Sequence, residues 1–304
     1  MFHILANLDQ EERWLGTTLP AHIQRRLTAM ATLLQVFAPE GGDVTIHAGA
    51  ALDQNHVGRA SLPLPLVDTR PPARADLAWC EPGARAFNDR RYALALGQEL
   101  GCALPRATTL TSLEAIDAHV GPGAWVLKAP WSSAGRHRVF GEGPLFGEHR
   151  VAASRLLERT GALTYEPWCD RVCDVAVCGI AGGEVTEPHE IVNGPRGNFM
   201  GIELRPEVLS VGEHDQLVMT AERVAQRLYD DGYRGPFGID AFVHLVAGER
   251  VIHPLCEINA RHTFGHVARA LGERFGARRL EFGRDPPPRS RLLVDAHGLK
   301  AWIR

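Results

Sequence analysis

The run Glu257-Ile-Asn259-Ala-Arg261 sets a carboxylate, an amide and a guanidinium at alternate positions, and Asp240 precedes it across a strand-like stretch. In a strand, alternate side chains share a face, so Glu257, Asn259 and Arg261 look one way while Ile258 and Ala260 pack behind them. Asp240-Ala-Phe-Val-His-Leu-Val246 and Arg250-Val-Ile-His-Pro-Leu-Cys-Glu-Ile258 are both β-rich. Ala247-Gly-Glu249 between them reads as a hairpin connection that brings Asp240 alongside. Three hard oxygen donors beside a fixed cation suit Mg²⁺, which prefers carboxylate and carbonyl oxygens and completes its octahedron with phosphate and water. That points to chemistry on ATP. An ordinary hairpin with a polar solvent face shows the same alternation, so the rest of the chain must decide.

Lysine usage narrows the search for a phosphate partner. Lys128 and Lys300 are the only lysines, and the remaining cations are arginines. A lysine is a compact point charge suited to a phosphate oxygen, whereas arginine offers a broad fork. Two residues after Lys128 begins Pro130-Trp-Ser-Ser-Ala-Gly-Arg136, a small, polar, glycine-bearing loop between strands expected at 124–129 and 137–140. That composition lets backbone N–H groups and hydroxyls approach phosphate closely. A P-loop and a Gly-x-Gly-x-x-Gly dinucleotide fingerprint are both absent.

With 304 residues the chain can bury a substantial core, divided between two domains or held in one elaborated domain. A formal net charge of -3 gives no overall basic field for nucleic acid or anionic membrane, so an anionic ligand must be met by local charge. No apolar run approaches the roughly 20 residues of a membrane span. The opening Met1-Phe-His-Ile-Leu-Ala6 lacks the basic region and long apolar core of a signal peptide, so a cytoplasmic protein is expected. The six cysteines read as reduced core thiols, and Cys169, Cys173 and Cys178 lack the paired spacing of a zinc site.

The elements that must carry these residues follow from pattern. The first hundred residues alternate: strand 2–6, an amphipathic helix over 21–37, strands at 43–47 and 62–67, and 75–80 closing a small sheet. Prolines demote 62–67 to an edge strand or linker. A helix starts at Asn88-Asp89, both good caps, carries Arg90 and Arg91 in its first turn and stops at Gly101. A short helix spans 113–120. After the loop come a helix over 148–160, strands at 163–168, 172–180, 184–192 and 198–204, and an amphipathic helix over 213–231. Arg284-Asp-Pro-Pro-Pro-Arg289 reads as a stiff linker.

Lys128 before a Ser/Gly loop, Glu166-Pro167-Trp168 on a strand, a mixed sheet, then Asp240 and Glu257-x-Asn259-x-Arg261 follow an α/β front domain. In that order the chain resembles the ATP-grasp superfamily of carboxylate-amine ligases, from the front domain to about residue 275. The resemblance implies an α/β and α+β fold with mixed and antiparallel sheets. Its parts are an N-terminal α/β pre-ATP-grasp domain over 1–107, an N-terminal ATP-grasp subdomain with the lid over 108–163, a C-terminal subdomain with the metal site over 164–283, and a tail over 284–304.

The same resemblance implies ATP with Mg²⁺, or Mn²⁺ in its place. Lys128 matches the strand lysine on the phosphates, and a basic residue at the helix start matches Arg90 or Arg91, here assigned to Arg91. Ser132, Ser133 and Gly135 match the lid, Glu166, Pro167 and Trp168 the segment against which adenine lies, and Asp174 the ribose acid. Asp240, Glu257 and Asn259 match the metal ligands, and Arg261 the arginine facing the transferred phosphate. Arg196 and His262 are candidate substrate contacts. The implied reaction activates a carboxylate as an acyl phosphate and couples it to an amine; a kinase of the same fold and a non-catalytic nucleotide-binding regulator are the alternatives. The expected partners are small-molecule or peptide carboxylates and amines, with neither nucleic acid nor membrane, and a homodimer is the default for this class.

Overall fold

Three sheets form where the residue pattern leaves a face to bury. The computed structural model describes every residue but Ser133, Ala134 and Arg196, and every side chain but that of Gln54 besides. The front of the chain runs β1 (Phe2–Leu5), α1 (Gln10–Trp14), α2 (Ala21–Ala31), β2 (Val44–His47), β3 (Leu66–Asp68), β4 (Leu77–Ala78) and α3 (Arg90–Glu99). Its strands pair in parallel in the order β3-β2-β1-β4. Parallel sheets need covered faces, and Ile4 and Ile46 are fully buried in one cluster with Leu33 and Leu34.

Two expectations shift here for local reasons. The helix expected over 21–37 divides, because α2 ends at Ala31 and residues 32–37 tighten into a 3₁₀ turn. The Thr32 hydroxyl donates to the Ala29 carbonyl and the Gln35 amide to the Thr32 carbonyl, drawing side chains into the backbone ladder. Of the run 62–67, only its end pairs, as β3, since Pro63 and Pro65 have no N–H to give.

The second sheet is antiparallel in the order β5-β8-β6-β7. Its chain order is β5 (Thr108–Leu110), α4 (Leu113–His119), β6 (Ala124–Lys128), β7 (Arg138–Glu142), α5 (Gly147–Thr160) and β8 (Leu163–Pro167). It keeps a core of its own around Trp125, Leu127 and Leu163.

The third sheet takes β9 (Arg171–Ile180), β10 (His189–Asn193), β11 (Phe199–Glu203), α6 (Val211–Asp230), β12 (Pro236–Val246), β13 (Glu249–Asn259), α7 (Phe264–Phe275), β14 (Arg279–Gly283), β15 (Arg291–Ala296) and β16 (Leu299–Ile303). Its strand order is β13-β12-β9-β10-β11-β14-β16-β15, with antiparallel pairing. The long β12–β13 hairpin turns through Ala247 at φ 52 and Gly248 at φ 89, the left-handed pair that a two-residue hairpin loop demands. Ser210 and Glu213 form a capping box that opens α6, which buries Leu217, Val224 and Leu228.

One apolar cluster runs from Ile4 and Leu34 of the front domain to Ile239, Ile258 and Leu280 of the large sheet. The front domain therefore shares its core with the third sheet. Segment 284–304 takes part in this closure: β16 pairs with β14, Val57 bridges Ala296, and the Ser61 N–H donates to the Leu292 carbonyl at 2.8 Å. Buried Leu293 and Ala301 supply the apolar face that the proline run before them obscures in the sequence. The architecture is thus α/β at the front and α+β behind, as the sequence implied. Among the described residues no helix is long and apolar enough to cross a membrane.

Candidate functional site

One wall of the cleft is the β12–β13 hairpin, where strand pairing sets the side chains. Asp240 and Glu257 are direct partners in the ladder, and Asn259 pairs with Gly238. Asn259 Oδ1 accepts from Arg261 Nη2 at 2.7 Å, and the Asn259 side chain favours the ionised form of Asp240. Burial, and next the Glu257 charge, push the Asp240 carboxyl up to about 7. Two half-buried carboxylates held side by side favour a cation beside them. Among the described residues no group of three or more His, Cys, Asp or Glu could hold a metal alone. Two carboxylates and one amide are hard oxygen donors of the kind Mg²⁺ takes beside phosphate and water, and two of their oxygens, Glu257 Oε1 and Asn259 Oδ1, accept from Arg90 and Arg261.

The facing wall is the second sheet, and its charge is opposite. Lys128, at the end of β6, is the ladder partner of Arg138 on β7. Two cations as direct cross-strand partners repel unless an anion lies between them. Lys128 Nζ sits 2.5 Å from Glu166 Oε2 on β8 and 3.9 Å from Cys256 Sγ on β13. Burial opposes the lysine charge, yet its pKa stands above the ordinary value. Cys256, whose thiol burial pushes up to about 11, is neutral at pH 7, so Glu166 supplies the support. Burial would raise Glu166, and Lys128 overrides it. Arg138 has no ion pair among the described residues; it lies 4.6 Å over the Phe140 ring, and burial followed by Arg171 and Arg90 lowers its pKa.

Arg90 joins the two walls. From the start of α3, Nη1 donates to the Ala129 carbonyl at 2.8 Å and to Ser132 Oγ at 2.9 Å, and Nη2 reaches Glu257 Oε1 at 2.9 Å. Its neighbour Arg91 turns outward. Asp89 caps α3 by accepting the Arg91 N–H and also holds the Arg91 guanidinium at 2.5 Å, which lies 5.7 Å over Trp131. The cation that enters the cleft from this helix is Arg90.

The structure distributes the other sequence candidates unevenly. Ser132 is buried under Arg90. Gly135 has φ 69, a left-handed conformation that strains any residue with a Cβ, and a Cβ there would meet the movable Arg138 guanidinium at 2.9 Å. Pro167 pairs with Trp125, and half-exposed Trp168 meets Phe140 edge-on at 4.8 Å. Asp174 accepts from Arg171 at 2.7 Å and from Asn193 at 2.9 Å. His262 is drawn to the front domain: its Nδ1 donates to the Ala78 carbonyl at 3.0 Å and its backbone N–H to that of Trp79. Ser133 and Arg196 lie outside the described residues.

Sequence reading passed over four residues at this cleft. Arg171 lies 3.9 Å over Phe242 and 5.6 Å over Trp168. Arg138 follows the lid loop at the parity of Phe140, a signal that was available. Glu11 and Glu12, neighbours on α1, reach opposite walls. Glu11 binds Arg261 Nε at 2.8 Å, whereas Glu12, fully buried, binds Arg136 at 2.7 Å and His137 at 2.6 Å. Nothing local in Asp9-Gln-Glu-Glu-Arg13 announces partners so far along the chain.

No family model matches the chain, and no curated protein matches it. Solved structures do. D-alanyl-alanine synthetase A from Vibrio cholerae is 14% identical, with 90% of this chain and 92% of that one covered and a TM-score of 0.54. Biotin carboxylase from Campylobacter jejuni is 15% identical over 87% of this chain and 66% of that one, TM-score 0.56. N5-carboxyaminoimidazole synthetase from Staphylococcus aureus, complexed with ADP, is 10% identical over 87% and 71%, TM-score 0.52. Of several further matching structures the chain spans 46%, 41% and 47% of the length. At such identities the likeness is one of fold, and it covers most of the chain. In fold the chain is similar to these three enzymes.

Proposed function

We propose that the protein is an ATP-dependent ligase that activates a substrate carboxylate as an acyl phosphate, releases ADP and couples the acyl group to an amine. The observation that carries this reading is a pair of opposed like-charge ladders. Lys128 faces Arg138 on one wall, and Asp240 faces Glu257 on the other. The acidic pair is costly alone, because the Glu257 charge raises Asp240, while Arg138 has no ion pair among the described residues and Lys128 is held by Glu166. A polyphosphate with a divalent cation suits both walls, and a Staphylococcus enzyme similar in fold is complexed with ADP.

Phosphoryl transfer asks the protein mainly for positioning and charge neutralisation. Lys128 and Arg138 meet phosphate oxygens, with Arg90 behind them and Ser132 and Gly135 in the loop over them. Asp240 and Glu257, with the Asn259 amide, would hold Mg²⁺, which when bound would neutralise phosphate charge. Glu166, Pro167 and Trp168 border the adenine, and Asp174 takes the ribose. The substrate carboxylate attacks the terminal phosphorus as its bond to the bridging oxygen of ADP breaks. Arg261 faces the migrating phosphate. An amine then attacks the acyl carbon, phosphate departs, and the nitrogen gives up a proton. Glu12 holds Arg136 and His137 at the end of the loop, whose closing over the acyl phosphate would keep it from hydrolysis.

A screen of carboxylates and amines for ADP and phosphate release, with mass spectrometry of the products, tests this. One amide per ADP and phosphate is expected. A phosphorylated hydroxyl without an amide would replace the ligase with a kinase, and binding of ATP without turnover on any pair would replace it with a regulator.

A further inference from the structure

Away from the cleft, a cavity of about 810 Å³ opens between the β9–β10 connection, the segment joining β11 to α6, and the C-terminal half of α7. That volume falls within the roughly 300–1,000 Å³ of small-molecule sites. Leu204, Leu209 and Val211 give it apolar wall, and Val211 is 79% exposed. Three guanidiniums, Arg205, Arg269 and Arg278, line the rest. Among the described residues none of the three has a carboxylate within ion-pair distance.

Arg269 is the most telling of them. One amino group donates to the Glu187 carbonyl, while its buried Nε has no partner. A half-buried guanidinium with an unsatisfied N–H costs free energy that an oxyanion would recover through charge-assisted hydrogen bonds. Two carboxylates, Glu187 and Glu273, share the wall. Glu187 is turned to His214, with Oε2 2.9 Å from Nε2, and both Glu187 and Glu273 favour the Arg269 charge only from beyond ion-pair distance.

We propose that this cavity binds a small molecule joining a carboxylate or phosphate group to an apolar body, at a site separate from the nucleotide cleft. The oxyanion lies among Arg205, Arg269 and Arg278, and the apolar body against Leu204 and Leu209. The site does not depend on the ligase reading, since none of its residues lines the cleft.

Calorimetric titration of phenyl phosphate and of phenylacetate into the full chain tests the proposal. Saturable binding at one site is expected, weakened about tenfold or more in the Arg205→Gln/Arg278→Gln double variant. The side chains of both arginines make no hydrogen bond or ion pair with described residues, so the double variant keeps its fold, which circular dichroism checks. Lys128→Met, in the other cleft, leaves the affinity unchanged. The tighter probe tells a phosphate ligand from a carboxylate ligand. The proposal is overturned if neither probe saturates the wild type, if the double variant binds as the wild type does, or if Lys128→Met with an unchanged circular dichroism spectrum abolishes binding.

Discussion

Arg90 Nη2 lies 2.9 Å from Glu257 Oε1, so a helix of the front domain and the hairpin of the large sheet share one buried ion pair. Removing one partner of such a pair leaves the other charge uncompensated, at a cost of about 3–5 kcal/mol. Arg90→Met is expected to lower stability by that much and to lower ATP turnover. Arg91→Ala, which breaks a half-exposed pair with Asp89, should cost under about 1 kcal/mol. Urea unfolding of the two variants compares them directly, and equal losses would refute the division of roles.

Asp240→Asn removes one charge from the Asp240–Glu257 ladder. Turnover should disappear while the fold persists, because the like-charge contact is relieved. In thermal melts with ADP, added Mg²⁺ should raise the wild-type midpoint and leave the variant's unchanged. Wild-type turnover in Asp240→Asn or in Asn259→Ala would sink the metal assignment.

Lys128→Met leaves Glu166 buried without its cation. Nucleotide affinity or the rate of chemistry should fall by about tenfold or more, the worth of a charge-assisted hydrogen bond to phosphate. Unchanged values in nucleotide titrations and steady-state kinetics would leave Lys128 a purely structural role.

Acid sensitivity should come from histidines before carboxylates. Burial lowers His189 and His266 to about 3 and His253 to about 4, all far below the ordinary value. A group depressed on folding binds fewer protons in the native state. Its penalty is absent above about pH 6.5 and grows as pH falls towards the folded value, by about 1.4 kcal/mol per pH unit for each histidine. Urea midpoints should therefore decline from pH 6.5 to 4.5. His189→Gln should flatten that decline by one histidine's share, whatever its effect at neutral pH, and an undiminished slope would show that His189 does not contribute.

Glu12→Gln should loosen the loop that Arg136 and His137 anchor. Trypsin cleavage after Arg136 or Arg138 is expected to quicken several-fold at native pH, where local opening sets the rate. Equal cleavage of wild type and variant in a time course would show that Glu12 does not hold the loop.

Sequence reasoning reached the hairpin wall because strand parity is local. Once Asp240 and Glu257 lie on adjacent strands, alternation alone puts Asn259 on the same face. It could not separate Arg90 from Arg91, since neighbours on a helix point about 100° apart and the direction of the cleft is a tertiary fact. Arg138 escaped because its strand was read for length and not for the charge it sets beside Lys128. Glu11 and Glu12 were out of reach: their partners lie 250 and 124 positions away, and a polar first turn is ordinary in a solvent-facing helix. The last two strands were masked by the prolines before them.

Glu11 and Glu12 give α1 a mechanical role that neither wall reveals alone. Adjacent on a five-residue helix, they form a yoke with one arm on Arg261 and the other on Arg136 and His137. A yoke so short cannot stretch. If the walls part, one arm must let go, and if α1 shifts, both loads move together. The distance between the walls of the cleft is therefore set partly from outside it, by the seating of a single helical turn.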